Sequence, residues 1–326
     1  MKQRKFDNTG FETGEVGLGC WQLGGDWGNI DENTAFKIMK TAVENNVIFF
    51  DTADVYGNGR SETLIGNFFK NSKNKIYVAT KFGRAGGIYP DKYSEQALRQ
   101  ATESSLKRLN IESLDLTQLH CVPTNILKNG EVFDWLEKLK QEGKIKDYGA
   151  SVETIEEAIL CLEKSNVSSL QIIFNIFRQK PLEELLPKAK AKNVAIIVRL
   201  PLASGLLAGK FTKETKFADS DHRNYNRDGQ YFNVGETFAG LPFEKGVELA
   251  EMVKSFVPEG MTMAQMAIRW ILDYDAVSVV IPGASSPEQA QLNAKVSDLP
   301  PLSKELHKKL SEIYTNEVHK YIRGPY

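Results

Sequence analysis

Cysteine and histidine are scarce: three and four among 326 residues. Cys20, Cys121 and Cys161 are odd in number and lack paired spacing, which argues against a disulfide framework and reads as reduced thiols. The histidines at 120, 222, 307 and 319 form no HExxH pair, so no metal site is expected. No apolar run approaches the roughly 18 residues that span a bilayer. The charged start, Met1 to Asp7, lacks the apolar middle of a signal peptide, and cytoplasm is the expected location. Neither sign of charge dominates: 41 Lys and Arg face 42 Asp and Glu. That balance gives no electrostatic ground for nucleic acid or a membrane surface as partner. A Pro/Gly/Ser-rich linker is missing, so residues 1–326 read as one domain; oligomeric state is not legible. The three-glycine dinucleotide fingerprint is missing too. Gly17-Leu18-Gly19 lacks its third glycine, and Gly57-Asn58-Gly59 has no acidic residue placed to hold a ribose.

What is present is alternation. Eight β-rich runs begin near Val16, Val47, Ile76, Asp115, Lys146, Ser169, Val194 and Val277. Amphipathic stretches separate them, with start signals at Asp31 or Asn33, Ser61 and Ser94, and further helices over 131–141, 154–164, 183–191, 243–256 and 287–296. Runs that are apolar throughout, such as Val194 to Val198, suit a parallel sheet buried on both faces. Eight such units in one chain predict an α/β fold of the (β/α)8 TIM-barrel type. Three pieces lie outside the units: an N-terminal β-hairpin around Asn8-Thr9-Gly10, an extra helix over 262–274 before strand eight, and a C-terminal helix over 303–321. The polar segment 211–241 is long for a connection and reads as a lid or an excursion over the site.

Four side chains with acid–base chemistry close or follow successive strands: Asp51 and Tyr56, Lys81, and His120. Lys81 lies thirty residues beyond Asp51, and His120 thirty-nine beyond Lys81, about one strand–helix unit each. In a closed barrel all four converge on the carboxyl-end mouth. Taken singly, each has an ordinary reading as a cap, loop aromatic, solvated charge or core histidine. Together they form a proton-transfer site. An ammonium beside a phenol favours the phenolate and lowers its pKa, while a carboxylate holds the ammonium in place. A neutral imidazole orients the substrate oxygen. The arrangement suits protonation of a carbonyl oxygen as hydride attacks its carbon. Tyr56 would be the general acid, Lys81 its tuner, Asp51 the partner of the lysine, and His120 the orienting group.

The stretch Asp51-Thr52-Ala53-Asp54-Val55-Tyr56-Gly57, with Ser61-Glu62 and Ile65-Gly66, resembles the DTAxxYG…SExxIG segment of the aldo-keto reductases. Ala79-Thr80-Lys81-Phe82 and Asp115 to His120 resemble the lysine and histidine segments of that family. The resemblance extends from Gly17 to Gly283. It implies a (β/α)8 enzyme that reversibly reduces aldehydes or ketones to alcohols with a nicotinamide cofactor, NADPH by preference and NADH possible. It also assigns the tetrad the roles given above.

The resemblance further implies where the dinucleotide lies. Trp21 and Asp51 border it, and Ser151 and Gln171 hold the carboxamide. Pro201, Leu202, Ser204, Gly205, Leu206 and Lys210 belong to the pyrophosphate loop. Gly283, Ser285, Gln289 and Asn293 clasp the adenosine end. Two departures stand out. Arg199 occupies the position where relatives often stack an aromatic ring on the nicotinamide; a guanidinium plane can stack there, or pair with a neighbouring carboxylate. Val152 replaces the usual asparagine after Ser151. Residues 284–293 also lack the Arg or Lys that often meets a 2′-phosphate, leaving Arg223 and Arg227 of the long segment as candidates or as solvated charges.

Trp21, Trp27, Tyr56, Phe82, Tyr89, His120 and Val122 are expected to line a pocket for a small carbonyl substrate. Such a wall does not select among sugars, aromatic aldehydes, pyridoxal and ketosteroids. Two alternatives remain open: an NAD-dependent aldose dehydrogenase, and a non-catalytic nucleotide-binding subunit with the same barrel.

Overall fold

The computed structural model describes every residue except Asp7, Asp26, Asn29, Asn71 and Lys73. A hairpin comes first, β1 (Gln3–Phe6) antiparallel to β2 (Phe11–Gly14). Eight parallel strands follow, hydrogen-bonded in chain order: β3 (Leu18–Gly19), β4 (Phe49–Asp51), β5 (Tyr77–Phe82), β6 (Leu114–His120), β7 (Ile145–Ser151), β8 (Ser169–Ile173), β9 (Ala195–Arg199) and β10 (Val277–Val280). Val16 bridges Val280 and Gly19 bridges Gly283, both in parallel sense. The Gly17 N–H donates to the Val280 carbonyl at 2.8 Å, so the last strand meets the first and the barrel closes.

Helices cover the outside. They are α1 (Glu32–Glu44), α2 (Arg60–Phe69), α3 (Glu95–Leu109), α4 (Thr124–Asn129), α5 (Glu131–Gln141), α6 (Ile155–Lys164) and α7 (Leu185–Ala191). Between β9 and β10 lie α8 (His222–Tyr225), α9 (Phe243–Lys254) and α10 (Met263–Leu272), and α11 (Pro287–Lys295) and α12 (Lys304–Ile313) complete the set. Side-chain caps fix several starts, including Asp31 on Thr34, Ser94 on Ala97, and capping boxes at Thr154 and Thr262. Two elements, α4 and α8, have no counterpart in the sequence reading, because four to six residues are too few to show a 3.6-residue period. Among the described residues, no helix is long and apolar enough to cross a membrane.

Side-chain alternation divides the core into two layers. Phe49, Ala79, Leu116, Ile197 and Val279 fill the barrel, while Phe50, Val78, Leu119, Ile196 and Val198 face the helices. The hairpin forms the floor: buried Phe6 packs on Phe11 at 4.7 Å and on Phe49 at 5.3 Å, and Phe11 stacks on Tyr77 at 4.3 Å. Arg4 pins this hairpin to the carbonyls of Leu272, Tyr274 and Val277.

At the other end, residues 211–241 cross the carboxyl-end mouth. Their His222 and Phe232 rings lie 4.7 and 6.1 Å from the ring of Trp21. The Ile65-Gly66 pair owes its glycine to packing, since a Cβ at 66 would stand 2.2 Å from the Arg108 carbonyl oxygen at the end of α3. Gly66→Ala should therefore lower stability by about 1–3 kcal/mol through overpacking. Gly86→Ala, where a Cβ meets open space, should change it by less than about 0.5 kcal/mol. Urea denaturation of the two variants makes the comparison.

Candidate active site

The inward-facing series on each strand runs from apolar to polar as it rises. Phe49 leads to Asp51, Ala79 to Lys81, Leu116 to Gln118 and His120, and Ile197 to Arg199. The parallel register pairs Asp51 with Ala79, which sets Lys81 one inward step above the carboxylate. The Lys81 Nζ donates to Asp51 Oδ1 at 2.6 Å, to the Thr52 carbonyl at 2.7 Å and to the Tyr56 hydroxyl at 3.2 Å. All three ammonium protons thus have acceptors. Burial pulls the lysine pKa down, but Asp51 and Tyr56 outweigh it and the net shift is upward. Asp51 Oδ2 accepts from Gln118 at 3.1 Å and from Gln171 at 2.6 Å.

Tyr56 reaches this pair because its loop is fastened at both ends. Ser61 Oγ donates to the Cys20 carbonyl and accepts from Thr52, while Glu62 binds Thr80 and Arg108. Gly57, at φ 59°, lies back to back with Gly24; a Cβ at 57 would stand 2.3 Å from the Gly24 carbonyl oxygen. That approach stacks Trp21 on Tyr56, with centroids 5.8 Å apart. Burial raises the phenol to about 12 and outweighs the lowering by Lys81. This reverses the lowering expected from the neighbouring ammonium alone, because desolvation accompanies it.

His120 stands edge-on to Tyr56, with ring centroids 6.0 Å apart. Burial first, then Arg84, Lys81 and Arg199, hold its pKa well below 6.5. Its buried Nδ1 has no hydrogen-bond partner among the described residues. A neutral imidazole with an unused nitrogen beside a protonated phenol can bind and protonate a carbonyl oxygen. The thiol beside it, Cys121, is pushed up to about 12 by burial and is no thiolate.

The remaining expected residues fall in several places. Ser151 donates to Gln171 Oε1 at 3.3 Å, which continues the chain from Asp51. Arg199 lies 3.6 Å from Glu236 and donates to the Val152 carbonyl at 3.3 Å, while its buried Nε has no partner among the described residues. After β9 the backbone turns left-handed at Leu200, Ala203 and Ser204, with φ of 52°, 47° and 56°. Such non-glycine strain gathers at binding sites. Pro201, Leu202, Gly205 and Leu206 share that turn, and Lys210 is exposed at its end. Ser204 Oγ links the Glu236 carbonyl and the Phe238 N–H. Ser285 donates twice to Gln289, and Asn293 holds the Gly283 carbonyl.

Trp21 and Trp27 meet edge to face at the mouth, and Tyr89 is half exposed at the rim. Phe82 and Val122 do not face the mouth. Phe82 has the opposite parity to Lys81 and packs on Tyr93, and Cys121, at φ 48°, turns the chain so that Val122 joins the helix-facing core. Arg223 is not solvated: it grips Asp221 and lies over Trp27 and Phe217, and Arg227 lies over Phe243. The sequence reading missed Gln118, Arg84 and Glu236. Gln118 had a signal, being one strand step before His120 on the same face; the other two had none.

A family model described as "Aldo/keto reductase family" matches residues 15–315. The Bacillus subtilis (strain 168) protein named Uncharacterized oxidoreductase YqkF is 31% identical over 99% of this chain and 100% of its own length. The glycerol dehydrogenase AKR11B4 from Gluconobacter oxydans superposes with TM-score 0.78 at 26% identity, covering 99% and 97% of the two chains. An aldo-keto reductase from Klebsiella pneumoniae, solved in complex with NADPH, superposes with TM-score 0.72 at 21% identity over 99% of both chains. With the family model matched across all eight strands of the barrel, the chain belongs to the aldo/keto reductase family.

Proposed function

We propose that this protein is an NADPH-dependent reductase that reversibly converts aldehydes or ketones to alcohols, acting as one domain. The observation that carries this reading is the Lys81 ammonium, which joins the Asp51 carboxylate and the Tyr56 hydroxyl beside a neutral His120.

The substrate oxygen lies between Tyr56 and His120, bound by the phenol O–H and the imidazole. As negative charge grows on that oxygen, the Tyr56 proton moves to it, and the Lys81 ammonium 3.2 Å away stabilises the phenolate left behind. Asp51 keeps Lys81 charged and oriented throughout. Bound nicotinamide supplies the hydride that the carbonyl carbon gains. Trp21, stacked on Tyr56, excludes water from that side.

The residues present fit a dinucleotide. Arg199 offers a buried Nε without a partner among the described residues, beside the left-handed turn of 200–205. Arg199 would meet the nicotinamide, with Ser151 and Gln171 at the carboxamide. The backbone of Pro201, Leu202, Ser204, Gly205 and Leu206, with Lys210, would take the pyrophosphate. Gly283, Ser285, Gln289 and Asn293 would take the adenosine end. NADPH is supported by the complex known for this fold. NADH has its own support, since Arg223 and Arg227 are engaged elsewhere and residues 284–293 contain no cation. A protonated phenol is ready to act as the acid in reduction, while the net direction against aldose oxidation is set by cofactor poise and concentrations.

Fluorescence titration with NADPH and NADH, followed by a carbonyl panel, tests the reading; cofactor binding without turnover would instead indicate a non-catalytic subunit. Tyr56→Phe should retain cofactor affinity and lower kcat by about 10²–10⁴-fold. Near-normal turnover would remove Tyr56 as the acid. The pH profile of carbonyl reduction should be flat from about 6.5 to about 9, since His120 stays neutral below 6.5 and the phenol stays protonated up to about 12. A break at either end of that window contradicts the assignment. The same depressed imidazole costs stability as pH falls below about 6.5, because the unfolded chain binds a proton that the folded one refuses. Thermal melts across that range would show the loss.

A further inference from the structure

Arg84 lies three residues beyond Lys81, in the turn that leaves β5. Its Nη2 donates to Glu153 Oε1 at 2.6 Å and to Glu236 Oε1 at 2.8 Å, and its Nη1 to Glu236 Oε2 at 3.3 Å. The guanidinium also lies over the Phe232 ring, 5.7 Å from its centroid. Glu236 and Phe232 both belong to the segment that crosses the mouth. The same Oε1 of buried Glu236 is also approached by Arg199 at 3.6 Å. Asn233 of the same segment donates to Glu153 at 3.0 Å. Cys121, Glu153 and Glu236 bring possible ligand atoms within 4.8 Å of one another, but the two guanidinium groups already neutralise the carboxylates, so this is an ion cluster rather than a cation site. Phe232 meets Trp21, and Trp21 covers Tyr56.

We propose that Arg84 is a positioning residue for the carbonyl substrate, clamping Glu236 and Glu153 so that residues 222–238 hold Phe232 and Trp21 over Tyr56 and His120. The inference rests on the reductase reading given above and adds a residue that reading does not use. Arg84 works through the segment it holds. Its charge also acts on His120, whose other charged or titratable surroundings are Tyr56, Asp51, Lys81, Cys121 and Arg199, with Glu236 and Glu153 beyond them.

Three variants test the clamp. Arg84→Gln should raise the carbonyl KM about tenfold or more, leave the NADPH dissociation constant within about twofold, and move the acid limb of the pH profile toward about 6.5. Arg84→Lys should restore the acid limb by returning the charge, but not KM, because a shorter side chain with one nitrogen cannot hold both oxygens of Glu236 while reaching Glu153. Glu236→Gln, which removes the charge that both arginines share, should weaken carbonyl and NADPH binding together. Folded Arg84→Gln with an unchanged KM and pH profile, even with a lower melting temperature, overturns the proposal. If the wild-type protein reduces no carbonyl with either cofactor, the reductase reading fails, and hydrogen exchange then decides the clamp. Faster exchange of residues 222–238 in Arg84→Gln supports it; unchanged exchange overturns it.

Discussion

The mouth of this barrel is organised by one buried ion pair, Lys81 with Asp51. Neither charge would be tolerated alone in so dry a place, since an unpaired buried ion loses several kcal/mol of hydration. Each is instead fully engaged: the ammonium by a carboxylate, a carbonyl and a phenol, the carboxylate by the ammonium and two amides. The geometry is therefore rigid before any ligand arrives. Charged groups held in this way need little reorganisation when charge develops beside them. The pair also decides which residues can surround it. Gln118 and Gln171 are drawn inward as donors, and the Tyr56 loop is drawn down onto the ammonium.

Much of this was legible because strands repeat every two residues. Once Asp51, Lys81 and His120 are placed at the ends of parallel neighbours, alternation puts them on one inner surface, and the structure brings them within reach of one another. The eight units, the hairpin, and helices α10 and α12 were readable for a related reason: each is long enough, or punctuated enough, to show its period. The same rule, applied more strictly, would have found Gln118. It would also have rejected Phe82, which has the parity of Leu119 rather than of Lys81.

The rest depends on contacts between distant parts of the chain. Val122 follows a strand with the right parity, but the left-handed turn at Cys121 ends the alternation, and no local pattern announces it. Arg84 and Glu236 are separated by 152 positions, and only the folded path of residues 211–241 unites them. The acidity of Tyr56 departs from expectation for a different reason. Sequence identifies the ammonium beside the phenol but not the extent of burial, and here burial is the larger influence. Arg223 and Arg227 illustrate the same limit, since Trp27, far earlier in the chain, and Phe243 of α9 come beneath their guanidinium groups only on folding.

The aromatic floor built by Phe6, Phe11, Phe49 and Tyr77 makes the cylinder a blind well. The charged groups lie at the opposite end, where the strap crosses the mouth. On the proposed reductase reading, a proton given up by the phenol would be replenished from bulk water through the mouth by which the alcohol leaves. Recharging the acid would then be tied to product exit, and the hairpin at the far end would enforce that link without touching the chemistry.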